Sequence, residues 1–244
     1  MRPLRSVLES QVGPERLRAI AEKHLVYRRY LDNLPFLWRE QLPAERDLFK
    51  IEGEDHIKAA LAAGKGAIIL SSHNFGINPL IPPVLSRFGY RICRVGSWEE
   101  QAIARLWGGE QHRAWKKIHL GTDTWSRIRV GKRIAAALKE NSLVHMSMPN
   151  CLIGDPQGEV RAFGRKFYID SAMPRLFKQL NAVVLPCFAL CDDRGRIHII
   201  VHPPFHGTIA ELSQAYCKLF SAYLTRYPEF CRFFKPWVQN KARW

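Results

Sequence analysis

The chain has 244 residues and a mass of 28.2 kDa, with 47% hydrophobic and 24% charged residues. That is enough apolar mass for a full core, and too mixed a composition for a disordered, collagenous or coiled-coil chain. Its 37 Lys and Arg against 22 Asp and Glu leave a formal charge of +15, which favours an anionic partner: nucleic acid, an acidic membrane surface, an acidic carrier protein or a phosphorylated substrate.

In chain order, the first thirteen residues place Glu9 and Gln11 where a signal peptide carries its apolar stretch, so a cytoplasmic protein is expected. Leu17, Ile20, Ala21, His24, Arg28 and Leu31 then recur at helical spacing, apolar except at His24 and Arg28, and predict an amphipathic helix. A second helix is expected over Glu54 to Ala63, ending at Gly64, followed by a short buried strand at Ala67 to Leu70. Tyr90 to Val95 reads as a strand, Gln101 to Trp107 and Ser126 to Glu140 as helices, and Leu143 to Met148 as a strand. Ala172 to Leu180 reads as a helix before the strand Ala182 to Ala189. The turn Asp192-Asp193-Arg194-Gly195 leads to a strand over Arg196 to His202, and Ala210 to Arg226 closes as a helix. The longest apolar run, Ala182 to Cys191, is about half of what a membrane-spanning helix needs, and Pro186 interrupts it.

Strands alternating with helical segments predict an α/β fold: a mostly parallel or mixed central sheet flanked by helices, with a helical N-terminal part. No repeat or linker divides the chain, so one domain over 1–244 is expected: a helical part at 1–63, an α/β core at 64–228 and a basic aromatic tail at 229–244. Six cysteines without C-x-x-C spacing read as reduced and mostly buried. His145, His198 and His202 fall on strands and read as core or surface residues rather than metal ligands. Basic residues cluster between Arg105 and Lys139 and again over Arg161 to Lys178, while Arg232, Lys235, Lys241 and Arg243 sit among aromatic residues. Such mixtures suit a lipid headgroup surface or single-stranded nucleic acid. The chain carries no RRM, KH, helix-turn-helix or finger signature, so specific nucleic-acid binding is not expected.

The chemically informative segment is Ser71-Ser72-His73-Asn74-Phe75-Gly76-Ile77-Asn78, immediately after an apolar run. Ligands of open α/β sheets bind outside the carboxyl ends of strands, and a histidine there can act as a general base. Ser71 and Ser72 adjoin His73 too closely in sequence to form a nucleophile–base pair with it, which argues against a serine hydrolase. Arg91 and Arg94, around a predicted strand, are candidates for binding phosphate on an acceptor or on coenzyme A.

The segment Ser72 to Asn78 resembles the His-x4-Asp/Glu motif of the lysophospholipid acyltransferase superfamily, in the form found in its lipid A biosynthesis (lauroyl/myristoyl) acyltransferase branch. A second block is similar to that branch as well: Val160-Arg161-Ala162-Phe163-Gly164-Arg165, the helix Ala172 to Leu180, and Asn181-Ala182-Val183-Val184-Leu185-Pro186. Arg226-Tyr227-Pro228-Glu229 matches a third, C-terminal stretch, so the likeness runs over roughly Ala21 to Pro228. The resemblance implies transfer of a long-chain acyl group from acyl carrier protein or acyl-CoA to a hydroxyl or amine of a lipid-like or small-molecule acceptor. His73 is then the general base, Asn78 its partner, and Arg161, Phe163, Gly164 and Arg165 lie near the acceptor. No metal or organic cofactor is required, and attachment to an anionic membrane surface on its cytoplasmic face is expected through the basic clusters.

Where the family carries an acid, this chain has Asn78, and Asn150 supplies another amide in the second position where the family often has an acid. An amide can fix the imidazole tautomer but brings no negative charge, and losing the equivalent carboxylate in a Ser-His-Asp triad costs about 10⁴ in rate. Three readings stay open: an acid from elsewhere (Glu99, Glu100, Asp123, Asp155 or Asp170) reaches His73; the amide suffices because a thiolate leaves readily; or the fold is kept by a non-catalytic lipid or acyl-carrier-binding relative.

Overall fold

The computed structural model describes residues 13–41, 48–72, 75–96, 116–119, 124–148, 156–162, 165–170 and 172–231. Its elements are α1 (Pro14–Gln41), β1 (Phe49–Glu52), α2 (Glu54–Ala62), β2 (Ala67–Ser72), α3 (Ile81–Arg87), β3 (Ile92–Gly96), β4 (Lys116–His119), α4 (Thr124–Lys139), β5 (Leu143–Met148), β6 (Pro156–Ala162), β7 (Arg165–Asp170), α5 (Ala172–Gln179), β8 (Val184–Cys191), β9 (Ile197–Val201) and α6 (Ile209–Arg226). Short 3-10 turns cover Asn78–Leu80 and Pro228–Phe230.

Seven strands form one mixed sheet in the order β1-β9-β8-β2-β5-β3-β4, and β6 and β7 form a separate antiparallel ribbon. Every neighbouring pair in the large sheet is parallel except β8 with β9, which the turn at Asp192 to Gly195 joins as a hairpin. This is the α/β class with a helix-flanked mixed sheet that the alternation of apolar runs predicts. β2 is the central strand: Ala67 to Ser72 align with Leu143 to Met148 on one side, and Ile68 to Leu70 with Val184 to Pro186 on the other. All six of its residues are buried, as expected of a strand covered on both faces.

Helix α6 shows why the closing segment folds as it does. Thr208 and Glu211 form a reciprocal capping box at its start, satisfying two amide groups that a helix end leaves open. Leu212, Tyr216, Phe220 and Leu224 then return every four residues to one buried stripe.

The observed elements depart from the sequence reading in several places. α1 spans 28 residues and runs through Pro35, well beyond the stripe that ends at Leu31. The N-terminal part is not wholly helical, because Phe49–Glu52 forms an edge strand paired with β9. β4, β6 and β7 also escaped prediction. The strand expected over Ala182 to Ala189 lies at Val184–Cys191, shifted two residues toward the carboxyl end. The helix expected at 101–107 and the tail from 232 onward lie outside the described residues.

Candidate active site

Ser72 ends β2 at the carboxyl edge of the sheet, and the segment from Phe75 to Leu80 folds back against the strand ends. His73 and Asn74 lie outside the described residues, as do Glu99, Glu100, Asp123, Asn150, Asp155, Phe163 and Gly164. What holds the described part of the motif is explicit.

Phe75 is completely buried and anchors the segment. Its ring meets Phe188, Phe220 and Tyr223 edge-on at centroid distances of 5.9, 5.8 and 6.3 Å, and Phe230 at 6.5 Å. Edge-to-face pairs of this kind each add about 0.5–1.5 kcal/mol beyond the burial of area. Gly76 follows in the left-handed region, with φ of +73°, and a Cβ there would sit 2.5 Å from the Ala189 carbonyl oxygen. Glycine is therefore required by both backbone conformation and space.

Hydrogen bonds to its backbone fix the same segment from three elements. The Ile77 amide donates to the Ala189 carbonyl at 2.7 Å, and the Gly76 amide donates to the Phe230 carbonyl at 3.0 Å. The Tyr27 hydroxyl, from α1, donates to the Gly76 carbonyl at 2.7 Å. α1 is held to the C-terminal turn by His24, whose Nδ1–H donates to the Glu229 carbonyl at 2.7 Å, and by the Tyr27 and Phe230 rings, 4.9 Å apart. His24, a polar member of the predicted helical stripe, thus has a use: it meets a carbonyl oxygen rather than the core.

Asn78 is buried, with 4% of its surface exposed. Its side-chain Nδ2 donates to two backbone carbonyls, those of Ser72 and Phe75, the latter at 2.6 Å. These carbonyls bracket His73 and Asn74 in sequence, so the amide closes the motif into a loop. Its Oδ1 is fully buried and has no hydrogen-bond partner among the described residues. A carboxylate at position 78 has no proton to donate and would place negative charge against two carbonyl oxygens, so this loop is built around an amide.

A second polar group lies beneath the motif and was missed in the sequence. Ser71 Oγ is 3.0 Å from His145 Nε2 and 3.1 Å from Ser147 Oγ. The registers Ile69 to His145 and Ser71 to Ser147 put these side chains on one face of adjacent strands. Burial and the charge of nearby Arg94 lower the His145 pKa well below the ordinary histidine value, so its ring is neutral. Its Nδ1 is buried without a hydrogen-bond partner among the described residues. On the other face, the Tyr216 hydroxyl donates to the Ser71 carbonyl at 3.3 Å. The strand expected over Ala67 to Leu70 stops short of Ser71, and only the pairing register brings Ser71 and His145, 74 apart in sequence, together.

The remaining predicted residues divide clearly. Arg91 precedes β3, whose first residue aligns with Leu143 and hence with Ala67, at the amino end of β2. At about 3.3 Å per residue it lies roughly 20 Å along the sheet from Ser72. There it forms an exposed ion pair with Glu140 at 3.1 Å, so the fold does not bring Arg91 to the motif. Arg94 is buried at the level of His145 and Ile69, inside the sheet rather than at its carboxyl edge. Arg161 pairs with Lys166, and Ala162 with Arg165, in the β6–β7 ribbon. That ribbon runs alongside α6, the helix whose aromatic stripe also packs on Phe75. Asp170 ends the ribbon opposite Pro156.

Of the other strand histidines, His198 sits between Glu52 Oε1 at 3.0 Å and Asp192 Oδ2 at 3.2 Å, and His202 Nε2 is 2.9 Å from the Tyr223 hydroxyl. Burial raises the thiol pKa of Cys187 and Cys191. Among the described residues no helix is long and apolar enough to cross a membrane. In comparison with known proteins, the family model described as bacterial lipid A biosynthesis acyltransferase matches residues 14–234. No curated protein matches the chain.

Proposed function

The chain belongs to the bacterial lipid A biosynthesis acyltransferase family, and from that premise we propose that it moves a long-chain acyl group from acyl carrier protein or acyl-CoA to a hydroxyl or amine of a lipid-like or small-molecule acceptor. The observation that carries this reading is the loop closed by Asn78 at the carboxyl end of β2, where its buried Oδ1 has no hydrogen-bond partner among the described residues.

In this reading His73 takes the proton from the acceptor as its oxygen or nitrogen attacks the thioester carbonyl, and the sulfur leaves as thiolate. Asn78 Oδ1 accepts the other imidazole N–H, fixing the tautomer that leaves the facing nitrogen free to act as base. No carboxylate is invoked, because a thioester has a good leaving group and demands less of its base than an amide or oxygen ester. Arg161 and Arg165, on the β6–β7 ribbon, are proposed to serve the acceptor, and a guanidinium suits phosphate there through paired hydrogen bonds. The +15 charge speeds encounter with an acidic carrier and favours an anionic membrane surface, both effects that salt weakens.

The test is thiol release from long-chain acyl-CoA and acyl carrier protein, with anionic liposomes and candidate acceptors, comparing native protein with His73→Ala. General base catalysis of this kind contributes about 10²–10⁴-fold, so the variant loses that much. Equal rates in the two proteins contradict the proposal.

A further inference from the structure

Helix α4 packs on β4 and β5, and its 16 residues include five Lys or Arg and no Asp or Glu. Val130, Ile134, Ala137 and Leu138 are buried on its inner face. Ile128, Arg129, Lys132 and Arg133 are exposed on the opposite face, within about one turn of one another. Ile128, with 46% of its surface exposed, is one of three large apolar side chains that the described residues leave open to solvent.

This patch works against its own helix. Arg129 repels Lys132 and Arg133, three and four residues on, and the first turn of α4 holds no acid to meet the positive end of the helix dipole. Lys139 differs, since a cation in the last turn complements that dipole. On other elements exposed cations are answered by acids: Lys58 by Glu54 at 3.0 Å, Lys50 by Glu52 at 3.1 Å and Arg196 by Asp192 at 2.7 Å. Lys132 and Arg133 form no ion pair with a described residue. Cations clustered at a local cost around an exposed isoleucine fit a partner that brings the missing acids.

The topology turns the patch toward the motif. α4 connects β4 to β5, which are both parallel to β3, so it runs back from the carboxyl edge of the sheet to the amino edge. Arg129 therefore lies about 15 Å up α4 from Lys139, toward the edge where Ser72 ends β2. A helix resting in a lipid interface presents a continuous apolar face, whereas the apolar face of α4 is spent on the sheet and leaves Ile128 alone among cations. One apolar side chain ringed by charge suits a folded protein surface instead. We propose that the Ile128, Arg129, Lys132 and Arg133 face of α4 docks an acidic acyl carrier protein, which rests on the acyl-transfer reading and gives its donor a landing surface beside the motif.

Fluorescence anisotropy of a dye-labelled holo acyl carrier protein, titrated with the full chain, tests this. Native protein is expected to bind saturably and more weakly as salt is raised. The double variant Lys132→Glu, Arg133→Glu is expected to weaken binding by about ten-fold or more. The control Lys65→Glu, Lys218→Glu removes the same charge at exposed positions off α4 and is expected to change it by less than about three-fold. Reversal at position 133 turns repulsion from Arg129 into attraction, so the α4 variant should melt no lower than native. If it does not fold, Lys132→Gln, Arg133→Gln replaces it, with a weakening of about three-fold expected. Equal weakening by the α4 and control pairs, an affinity that the α4 pair leaves unchanged, or no carrier binding would each overturn the proposal. So would an α4 pair that stops sedimenting with phosphatidylglycerol vesicles while its carrier affinity stays native. Binding is read without turnover, so thiol release from acyl-CoA with no carrier binding defeats this proposal alone. Carrier binding that needs α4, without His73-dependent thiol release, defeats the acyl-transfer reading alone.

Discussion

The two sides of the sheet's carboxyl edge are built on opposite principles. On the β2 side, the motif is held by neutral groups in a dry setting: a buried phenyl ring among four other rings, backbone amides to backbone carbonyls, and an asparagine amide to two more carbonyls. On the β8–β9 side, the turn is held by charge, with Asp192 gathering Arg194, Arg196 and His198 at the surface. The difference teaches where a substitution should matter. Neutral buried contacts cannot be replaced by water, whereas exposed charged ones largely can.

The largest effect is therefore expected on the buried side. Phe75→Ala removes the ring at the centre of the cluster and should cost about 3–5 kcal/mol, read from denaturant unfolding. A loss below about 1 kcal/mol would show that the ring cluster is not what holds the motif.

His145 gives the buried side a pH signature. Its folded pKa is depressed, so below the unfolded value near 6.5 the unfolded chain takes up a proton that the native state refuses. Stability should fall as pH drops through that value, by about 1.4 kcal/mol per unit, until the folded pKa is reached. His145→Gln should flatten that slope, and an unchanged slope would remove His145 as its source. Asp192 behaves in the opposite region of pH. Its carboxyl lies well below the ordinary range, because hydrogen bonds from Arg196, His198 and Arg194 outweigh the opposing effect of desolvation. Its contribution is fully present above the unfolded carboxylate value near 3.9 and disappears only as pH falls further. The melting temperature of Asp192→Asn should therefore drop at neutral pH, by less than that of Phe75→Ala.

The smallest effect belongs to Arg91→Ala. The Arg91–Glu140 pair is exposed and far from the motif, so stability should change by less than about 1 kcal/mol and the KM for acyl donor should not move. A raised KM would return Arg91 to the binding machinery.

How far the sequence announced this arrangement varies with burial. β2 and β8 were legible because strands covered on both faces read as unbroken apolar runs. β4 was not, since Lys116-Lys117-Ile118-His119 offers a single apolar residue. Nor was β6, whose Pro156-Gln157-Gly158 start reads as a turn. Pro35 argues for a helix stop, yet α1 continues past it. At the candidate site, the motif could be located from its residues, and its likeness to an acyltransferase family is matched by the family model over most of the chain. The direction of the Asn78 amide could not, because it depends on the carbonyls of Ser72 and Phe75 closing around it. The Ser71, His145 and Ser147 cluster was equally hidden, since it exists only in the parallel register of β2 and β5.

In the proposed mechanism the motif works with an amide, because its loop is closed by donation from the Asn78 side chain. The most direct measurement is His73-dependent thiol release by native protein beside Asn78→Asp, with both shown to be folded by thermal melting. The aspartate loses both donated hydrogen bonds and sets a buried charge against two carbonyls, so its rate should fall to about a tenth of native or lower. An aspartate variant as fast as native, or faster, would contradict the account and show that the site calls for an acid.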